Sequence, residues 1–424
     1  MTERDFAIDV VQRLQQAGYQ ALWAGGCVRD EHLGLSPDDY DVASNARPEE
    51  VRKLFRRTVP VGMSFGVIEV IGPRIDGHFI VVQVATFRSD GAYSDGRRPD
   101  QVVFSDARED AMRRDFTING MFFDPIKEEL LDFVGGREDL QRKYLRAIGD
   151  PHERFREDKL RLLRAVRFAS RFSMEIEPTT LAAIREMASQ VSVVSEERIS
   201  EELRKILKHP NRRSGIELMD QLGLVQSILP EILPLQCSQT ASGDTLWQHT
   251  VRVLENLGQP VTFPLSFAAL LHELNAHMGK RWVQKLGRRL RLSNDEIDRT
   301  AWLTEHHNAL VKAQSAPPSL LKTLFRHPGI EELLTLHVAD AQAENQSTDH
   351  VDFCREWLSK WDDNDLNPPY LLTGDDFKKN GMKPGPMFKQ LLESVRTAQL
   401  DGTITTTEEA WDMVKEMLAN QEGN

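Results

Sequence analysis

Residues 21–44 have the sequence ALWAGGCVRDEHLGLSPDDYDVAS. Apolar runs at 21–24 and 40–43 have the length of buried strands and are bounded by turn-forming residues. The segment between them carries Val28, Leu33 and Leu35, which suits a short helix. The stretch therefore predicts a strand, a helix and a second strand, with polar residues grouped where these elements meet.

The first polar group follows the glycine pair Gly25-Gly26. Two glycines let the backbone approach a phosphate closely, and a helix N-terminus offers free N–H groups to an anion. Arg29 adds a fork-shaped donor for phosphate. An ordinary strand–helix turn is the alternative, since the pattern is neither a Walker loop nor a GxGxxG fingerprint.

The second polar group is Asp38-Asp39-Tyr40-Asp41. On a strand, residues i and i+2 share a face, so Asp39 and Asp41 are expected to project together. Two neighbouring carboxylates repel each other, and a divalent cation relieves that repulsion. Oxygen ligands beside a triphosphate favour Mg²⁺, and a pair of such ions activates a hydroxyl and stabilises the leaving phosphate. A solvated turn is the alternative.

Around this stretch, a helix is predicted at 1–18 and further strands at 67–71 and 79–86, which together give a mixed α/β head. Residues 89–99, SDGAYSDGRRP, predict a mobile surface loop because they are rich in glycine and polar side chains. From Pro151 onward the pattern is helical, and the prolines Pro230 and Pro234, with the polar stretch 236–244, indicate a boundary.

The composition of the 424-residue chain excludes several classes of protein. With 40% hydrophobic residues it is not intrinsically disordered, and no apolar run is long enough to span a membrane. Three scattered cysteines and the absence of a signal-peptide pattern favour a cytoplasmic protein. The net charge of −12 is unfavourable for binding nucleic acid, but residues 142–171 hold ten basic side chains against four acidic ones.

Two further motifs carry arginines. Residues 113–120, RRDFTING, place arginines beside an asparagine, which suits triphosphate and sugar contacts, and a capped helix start is the alternative. Residues 154–168, RFREDKLRLLRAVRF, predict one continuous helix with Asp158 and Arg161 on its charged side. A solvated helix face is the alternative for this basic run.

Taken in order, these motifs and the run SEERISEELRK at 195–205 resemble the bacterial class II tRNA nucleotidyltransferase and poly(A) polymerase family, over roughly residues 20–230. The resemblance implies an α+β fold: a mixed-sheet nucleotidyltransferase head at 1–145, a helical nucleotide-reading neck and RNA-binding body at 146–235, and a helical, degenerate HD-like domain at 236–424. It implies template-independent addition of C and A from CTP and ATP to the tRNA 3′ end, with release of pyrophosphate. The expected partners are tRNA, CTP and ATP, with no membrane.

The resemblance also assigns roles to single residues. Asp39 and Asp41 match the catalytic pair that binds Mg²⁺. The loop at 89–98 matches a flexible loop that supports switching between nucleotides. The residues expected to bind the nucleotide are Gly25, Gly26, Arg29, Asp30, Arg114, Asp115, Asn119, Asp158, Arg161, Arg164 and Arg167.

Base chemistry agrees with this assignment. Cytosine and adenine both present an exocyclic amine beside a ring-nitrogen acceptor, whereas uracil and guanine present a carbonyl beside a ring N–H. A carboxylate accepts from the amine and a guanidinium donates to the ring nitrogen, so Asp158 and Arg161 can select C and A.

Two features depart from the families' patterns. Gln83 stands where the resemblance favours a glutamate, which leaves Asp39 and Asp41 alone as catalytic carboxylates. In the C-terminal part, His249, the pair His272-Glu273, and Asp340 have the order of a metal-dependent HD phosphohydrolase, with glutamate in place of the signature aspartate. An active phosphohydrolase and a decayed scaffold that helps to hold tRNA are the two hypotheses for this part.

Three alternatives to CCA addition stay open on the sequence. A poly(A) polymerase shares the head and neck motifs, and a partial enzyme would add only CC or only A. A catalytically inactive RNA-binding protein is the third, favoured by Gln83 and opposed by the intact aspartate pair.

Overall fold

The structure is a computed structural model, which describes residues 1–75, 77–91, 101–240, 243–276, 278–279, 281–382 and 385–422. It divides into two compact units, Met1–Glu231 and Ile232–Asn424. The finer division of the first unit into head and neck stays a prediction.

A seven-stranded mixed sheet organises the first unit, with the strand order β3-β4-β5-β2-β1-β8-β9. Only β2 and β5 run parallel; the other neighbours are antiparallel. The strands of the sheet and of two small ribbons are β1 (Ala21–Ala24), β2 (Asp41–Ser44), β3 (Thr58–Gly62), β4 (Val67–Ile75), β5 (His78–Thr86), β6 (Arg88–Asp90), β7 (Val102–Phe104), β8 (Phe122–Asp124), β9 (Glu129–Leu131), β10 (Tyr144–Leu145) and β11 (Glu175–Ile176).

Helices flank this sheet and make up the rest of the unit. They are α1 (Glu3–Gln16), α2 (Gly26–His32), α3 (Pro48–Leu54), α4 (Ala107–Met112), α5 (Gly136–Arg142), α6 (Pro151–Glu157), α7 (Arg161–Phe172), α8 (Pro178–Met187), α9 (Glu196–Leu207), α10 (Arg212–Gln221) and α11 (Leu224–Ile228).

The core of the first unit lies on both sides of β1, in which all four residues are buried. A strand buried on both faces needs a continuous apolar run rather than an alternating one, and ALWA provides it. Leu22 and Ala24 pack with Phe87 and Phe122 in one cluster, while Trp23 is fully buried. Because β1 lies inside the sheet, the start of α2 is held in place at the carboxyl end of that strand.

The second unit is helical throughout its described residues. Its helices are α12 (Leu233–Cys237), α13 (Leu246–Asn256), α14 (Phe263–Leu271), α15 (Trp282–Arg289), α16 (Asn294–His306), α17 (Pro318–Phe325), α18 (Ile330–Ala343), α19 (Asp349–Lys360), α20 (Asp363–Leu366), α21 (Gly374–Lys379), α22 (Pro386–Asp401) and α23 (Thr407–Glu422). Among the described residues, no helix combines the length and the apolar character needed to cross a membrane.

The predicted α+β fold, with a mixed sheet followed by helices, is confirmed. The strand predicted at 21–24 has those bounds, and the one predicted at 40–43 begins one residue later. The loop predicted at 89–99 is wrong at its start, because Ser89 and Asp90 belong to β6, which pairs with β7. Residues 92–99 of that loop lie outside the described residues.

Candidate active site

A cavity of about 560 Å³ opens in the first unit where β1, β2, α2 and α7 meet. Eight basic side chains line it against four acidic ones, so its wall carries an excess of positive charge. The lining residues are Gly25, Gly26, Arg29, Asp39, Asp41, Arg113, Arg114, Asp115, Asn119, Asp158, Leu160, Arg161, Arg164, Arg167, Phe168, Arg198 and Lys205. The structure thus brings together all but one of the predicted site residues.

The exception is Asp30, which is buried and is absent from the cavity wall. Its carboxylate accepts from Arg29 at 2.8 Å and lies 3.8 Å from Arg171. Asp30 therefore contacts the site only through Arg29.

The aspartate pair lies where β2 begins. Asp41 is the first residue of β2, and the exposed Asp39 precedes the strand. Neither carboxylate has an ion-pair or hydrogen-bond partner among the described residues. Burial, and next the charge of Asp39, raise the pKa of Asp41 from 3.8 to about 6.

These two carboxylates fit a divalent cation. Their donors are hard oxygen atoms, they line the same cavity, and Asp41 carries an electrostatic penalty that a cation removes. In the part of the chain that the structure describes, the cavity is lined by neither an imidazole nor a thiolate, so the donor set suits a hard divalent cation better than a softer one.

The glycine pair is held close to an arginine. Gly25 has φ = 75°, a conformation that favours glycine, and a Cβ built on it lies 2.8 Å from Nη1 of Arg114. Arg114 also donates to the carbonyl oxygen of Asn119 at 3.2 Å and pairs with Asp110 at 3.0 Å. A side chain at position 25 would therefore displace a basic group from the cavity wall.

A line of hydrogen bonds joins α7 to α2 through the turn that follows α4. Arg164 donates to Oδ2 of Asp115 at 2.5 and 2.8 Å, and Asn119 donates to Oδ1 of Asp115 at 3.0 Å. Arg29 donates to Oδ1 of Asn119 at 2.6 Å. Burial alone would raise the pKa of Asp115, but Arg164 and Asn119 hold it well below the usual range.

The helix that was predicted to carry both Asp158 and Arg161 is interrupted, and this prediction is wrong. Asp158 ends α6 in an extended conformation, and α7 begins only at Arg161. Asp158 accepts from the backbone N–H of Leu160 at 3.1 Å, which turns the chain between the helices. The backbone N–H of Arg161 donates to the carbonyl oxygen of Asp158 at 3.0 Å, and both residues line the same cavity wall, but their side chains do not pair with each other.

Each member of this pair has another partner. Arg198 on α9 donates to both carboxylate oxygens of Asp158, at 3.0 and 2.7 Å. Arg161 pairs with Glu157 at 2.6 Å and donates to the carbonyl oxygen of Arg113 at 3.3 Å. These contacts fix the directions of a carboxylate and a guanidinium that face the same space.

The basic side of α7 is mostly buried, so its interpretation as a solvated face is wrong for Arg161 and Arg167, each 9% exposed. Arg167 pairs with Glu202 at 2.6 Å and lies 4.2 Å from the ring centroid of Phe168. Burial lowers the pKa of Arg167 from 12.5 to about 10 despite Glu202. Burying this guanidinium therefore costs free energy, and its position in the lining adds positive charge to the cavity.

Sequence reasoning missed Arg198 and Lys205, which reach the cavity from α9. Both belong to the run SEERISEELRK that contributed to the resemblance. Their spacing of seven residues puts them on one helix face, which was the available signal. Only the packing of α9 against α7 shows that this face meets the cavity.

Gln83 lies beside the aspartates but outside the cavity. The strand register pairs Asp41 with Gln83 and Gln83 with Glu69, in one row across three strands. Gln83 is exposed and donates to Glu69 at 3.5 Å. In this structure the cavity therefore has Asp39 and Asp41 as its carboxylates at the sheet, without a third from position 83.

Comparisons with known proteins agree with this architecture. Residues 21–146 match the family model described as the poly A polymerase head domain, and residues 173–235 match that of the probable RNA- and SrmB-binding site of polymerase A. The CCA-adding enzyme of Lacticaseibacillus paracasei is 41% identical over 419 residues, which cover 95% of this chain and 94% of the relative. That of Pediococcus pentosaceus is 33% identical over 91% of each chain.

Among solved structures, the Bacillus stearothermophilus CCA-adding enzyme in complex with CTP matches with a TM-score of 0.79 and 25% identity, covering 100% of both chains. The agreement extends through the helical second unit as well as the head. The chain therefore belongs to the family of CCA-adding enzymes.

Proposed function

We propose that this protein adds C and A from CTP and ATP to the 3′ end of tRNA, without a nucleic-acid template and with release of pyrophosphate. The observation that carries the proposal is the single cavity in which an unpaired aspartate couple faces a carboxylate and a guanidinium suited to base edges. Membership of the CCA-adding family and the named complex of a relative with CTP support it.

Asp39 and Asp41 would hold Mg²⁺. When bound, the ion lowers the pKa of the primer 3′-hydroxyl and neutralises charge on the triphosphate. The chain's own part is to keep two carboxylates at the start of β2 free of competing cationic side chains. Arg114, whose positive charge acts on Asp41, is hydrogen-bonded to Asp110 instead.

The triphosphate is assigned to the wall formed by the glycine pair, Arg29, Arg114 and Asn119. Gly25 and Gly26 leave room for phosphate oxygens close to the backbone. Arg29 is held by Asp30 and Asn119, and its guanidinium stacks 4.6 Å from the ring centroid of Phe172. An arginine with restricted rotamers binds phosphate at a smaller entropic cost than a mobile one.

The base is assigned to Asp158 and Arg161, with Arg164 and Arg167 flanking them. Asp158 accepts from the exocyclic amine of cytosine or adenine, and Arg161 donates to the adjacent ring nitrogen. Arg198 donates to both oxygens of Asp158, so the carboxylate is already oriented before a base binds. Uracil or guanine would instead present a carbonyl to the carboxylate and a ring N–H to the guanidinium, and this mismatch of acceptor with acceptor and donor with donor is the basis for discrimination.

One assay separates this function from its alternatives. The purified chain is incubated with Mg²⁺, one labelled nucleoside triphosphate at a time, and tRNA lacking its last one, two or three nucleotides. Addition of two C and then a single A supports CCA addition. A long A ladder on any RNA would indicate a poly(A) polymerase, addition of only CC or only A a partial enzyme, and no incorporation a binding protein.

The cytoplasm is the proposed location. The three cysteines, Cys27, Cys237 and Cys354, are all free, as is usual in a reducing compartment.

A further inference from the structure

Asp110 is a buried carboxylate on α4 that does not itself line the cavity. Its side chain is 2% exposed, and it pairs with two arginines of the cavity wall, Arg113 and Arg114. Burial alone would raise the pKa of Asp110, but Arg114 and Arg113 hold it below its usual value, so the carboxylate is ionised at neutral pH. The effect of this charge on the cavity therefore passes through those arginines.

The two oxygens of Asp110 have different partners. Oδ1 accepts from Arg113 at 2.7 and 3.0 Å and from the backbone N–H of Arg88 at 3.3 Å, which fixes the carboxylate against β6. Oδ2 accepts from Nε and Nη2 of Arg114 at 3.2 and 3.0 Å. One oxygen thus anchors the carboxylate, and the other holds Arg114.

In the described part of the chain, the other contacts of Arg114 are with uncharged groups. Its Nη1 donates to the carbonyl oxygen of Asn119 at 3.2 Å, and its guanidinium carbon lies 5.0 Å from the ring centroid of Phe122. Hydrogen bonds between two charged groups are about twice as strong as those between neutral ones. The pair with Asp110 is therefore the contact that decides where Arg114 lies.

Arg114 lies at the end of the sheet that carries the aspartate pair. Its Nη1 is 2.8 Å from the position of a Cβ on Gly25, the residue that directly follows β1. Trp23 of β1 pairs with Val42 of β2 in an antiparallel register, so the residues after Trp23 lie beside those before Val42. Asp41 directly precedes Val42. Burial raises the pKa of Asp41, and the charge of Arg114 acts against that rise, so this charge reaches the carboxylate.

Without Asp110, the cavity would offer Arg114 other carboxylates. Of the four aspartates in the lining, two already pair with arginines of α7 and α9, whereas Asp39 and Asp41 have no ion pair among the described residues. A guanidinium that loses a buried partner keeps an uncompensated charge, which favours a new pair with such a carboxylate. An arginine bound there would occupy the oxygens assigned to the divalent cation.

We infer that Asp110 is a positioning residue that reserves Asp39 and Asp41 for the divalent cation by holding Arg114 beside Gly25. It acts through Arg114 and touches neither the cation nor the nucleotide. The same ion pair keeps Nη1 of Arg114 at the wall to which the triphosphate is assigned. The inference rests on the function proposed above, because that proposal assigns the cation to the two aspartates.

The experiment measures Mn²⁺ binding to the full chain without nucleotide, from the loss of the electron paramagnetic resonance signal of the free ion. The binding that Asp41→Asn removes defines the site at the start of β2. Asp110→Asn should weaken binding at this site at least about tenfold, since a nearby opposite charge changes the proton affinity of a carboxylate by a similar factor. Asparagine keeps the size of aspartate, the melting temperature checks folding, and Asp110→Ser is a second way to remove the charge.

A double variant separates positioning from a purely structural role. Asp110→Asn combined with Arg114→Met also removes the competing guanidinium, so it should bind Mn²⁺ as tightly as the wild type. A structural defect caused by the loss of Asp110 would not be repaired by a second substitution in the same ion pair. If the double variant binds as weakly as Asp110→Asn alone, while the wild type binds the ion, the inference is overturned and the proposed function is not.

Asp139→Asn is the matched control. Asp139 is 4% exposed and pairs with Arg146 at 3.1 Å, and neither residue lines the cavity. This variant loses a buried arginine partner of the same kind and should bind Mn²⁺ like the wild type. An equal loss of affinity in this control would overturn the inference, because the effect would then follow from any broken ion pair. Absence of Mn²⁺ binding at Asp41 in the wild type would overturn the proposed function and the inference with it.

Discussion

The carboxylates at the sheet side of the proposed nucleotide cavity and those at its helix side differ in what surrounds them. Asp39 and Asp41 have no ion-pair partner among the described residues, and the pKa of Asp41 is raised to about 6. Asp115 and Asp158 each form an ion pair with an arginine, and the pKa of Asp115 is lowered. The same side chain is thus prepared for a cation at one side and for hydrogen-bonded recognition at the other.

The largest expected effect comes from removing charge at the sheet side. Asp41→Asn should lower the rate of nucleotide addition at least about 1000-fold, because the loss of metal coordination removes several kcal/mol of transition-state stabilisation. Single-turnover addition of C to tRNA lacking its last three nucleotides measures this loss. Selectivity among nucleotides should stay unchanged in any residual activity, and a relaxed base choice would contradict the separation of roles.

The same variant should be more stable than the wild type, which also controls for misfolding. With its pKa raised from 3.8 to about 6, the ionised Asp41 costs the folded state up to about 3 kcal/mol at neutral pH. The stabilisation by Asn should be full above about pH 6 and should vanish as the pH falls below about 4. Denaturant unfolding at pH 8 and pH 4 checks the sign, and equal effects at both would refute it.

At the helix side, Asp158→Asn should mainly change base choice. A bidentate contact discriminates by about 1–3 kcal/mol, so the preference for CTP over UTP should fall about 10–100-fold while addition continues. Competition between labelled CTP and UTP measures it. Should Asp158→Asn abolish addition as completely as Asp41→Asn does, the contrast between the two sides would be lost.

The pH dependence provides a third comparison. Protonated Asp41 cannot bind a cation, so at subsaturating Mg²⁺ the rate should fall about tenfold from pH 7 to pH 5, and higher Mg²⁺ should shift the fall to lower pH. Asp115, whose pKa is lowered, should add nothing in this range. A fall that Mg²⁺ does not shift would assign the titration to another group.

The smallest effect is expected from Arg198, the arginine that pairs with the carboxylate proposed to read the base. Arg198→Met frees Asp158 to rotate, which should raise the KM for CTP and ATP several-fold and leave kcat nearly unchanged. Lys208→Met, which removes an exposed charge at the end of the same helix, is the control and should change neither parameter. A kcat effect larger than the KM effect would assign Arg198 to the reaction itself.

The elements that were predicted well are those decided by local sequence. β1 is a continuous apolar run before two glycines. Its bounds are as predicted because the local sequence alone decides where this strand starts and ends. β3 was missed because Val59 and Val61 are exposed at the edge of the sheet, where no buried face imposes an alternation. Its existence depends on pairing with β4.

The error at Asp158 has a similar origin. The helical period continues through 154–168, but in the structure Asp158 accepts from the backbone N–H of Leu160 and pairs with Arg198, forty residues away, at the point where the helix is interrupted. Arg198 itself was missed for the same reason. Residue types and motif order predicted which side chains share the cavity, whereas the partner of each charge depends on packing that a linear pattern does not contain.

The hydrogen-bonded line from Arg164 through Asp115 and Asn119 to Arg29 connects the end of the cavity proposed for the base to the end proposed for the triphosphate. A purine is larger than a pyrimidine, so under the proposed function the two bases would contact the Arg164 end of this line differently. Because the same line holds Arg29, we expect the choice of base and the position of the triphosphate to be coupled.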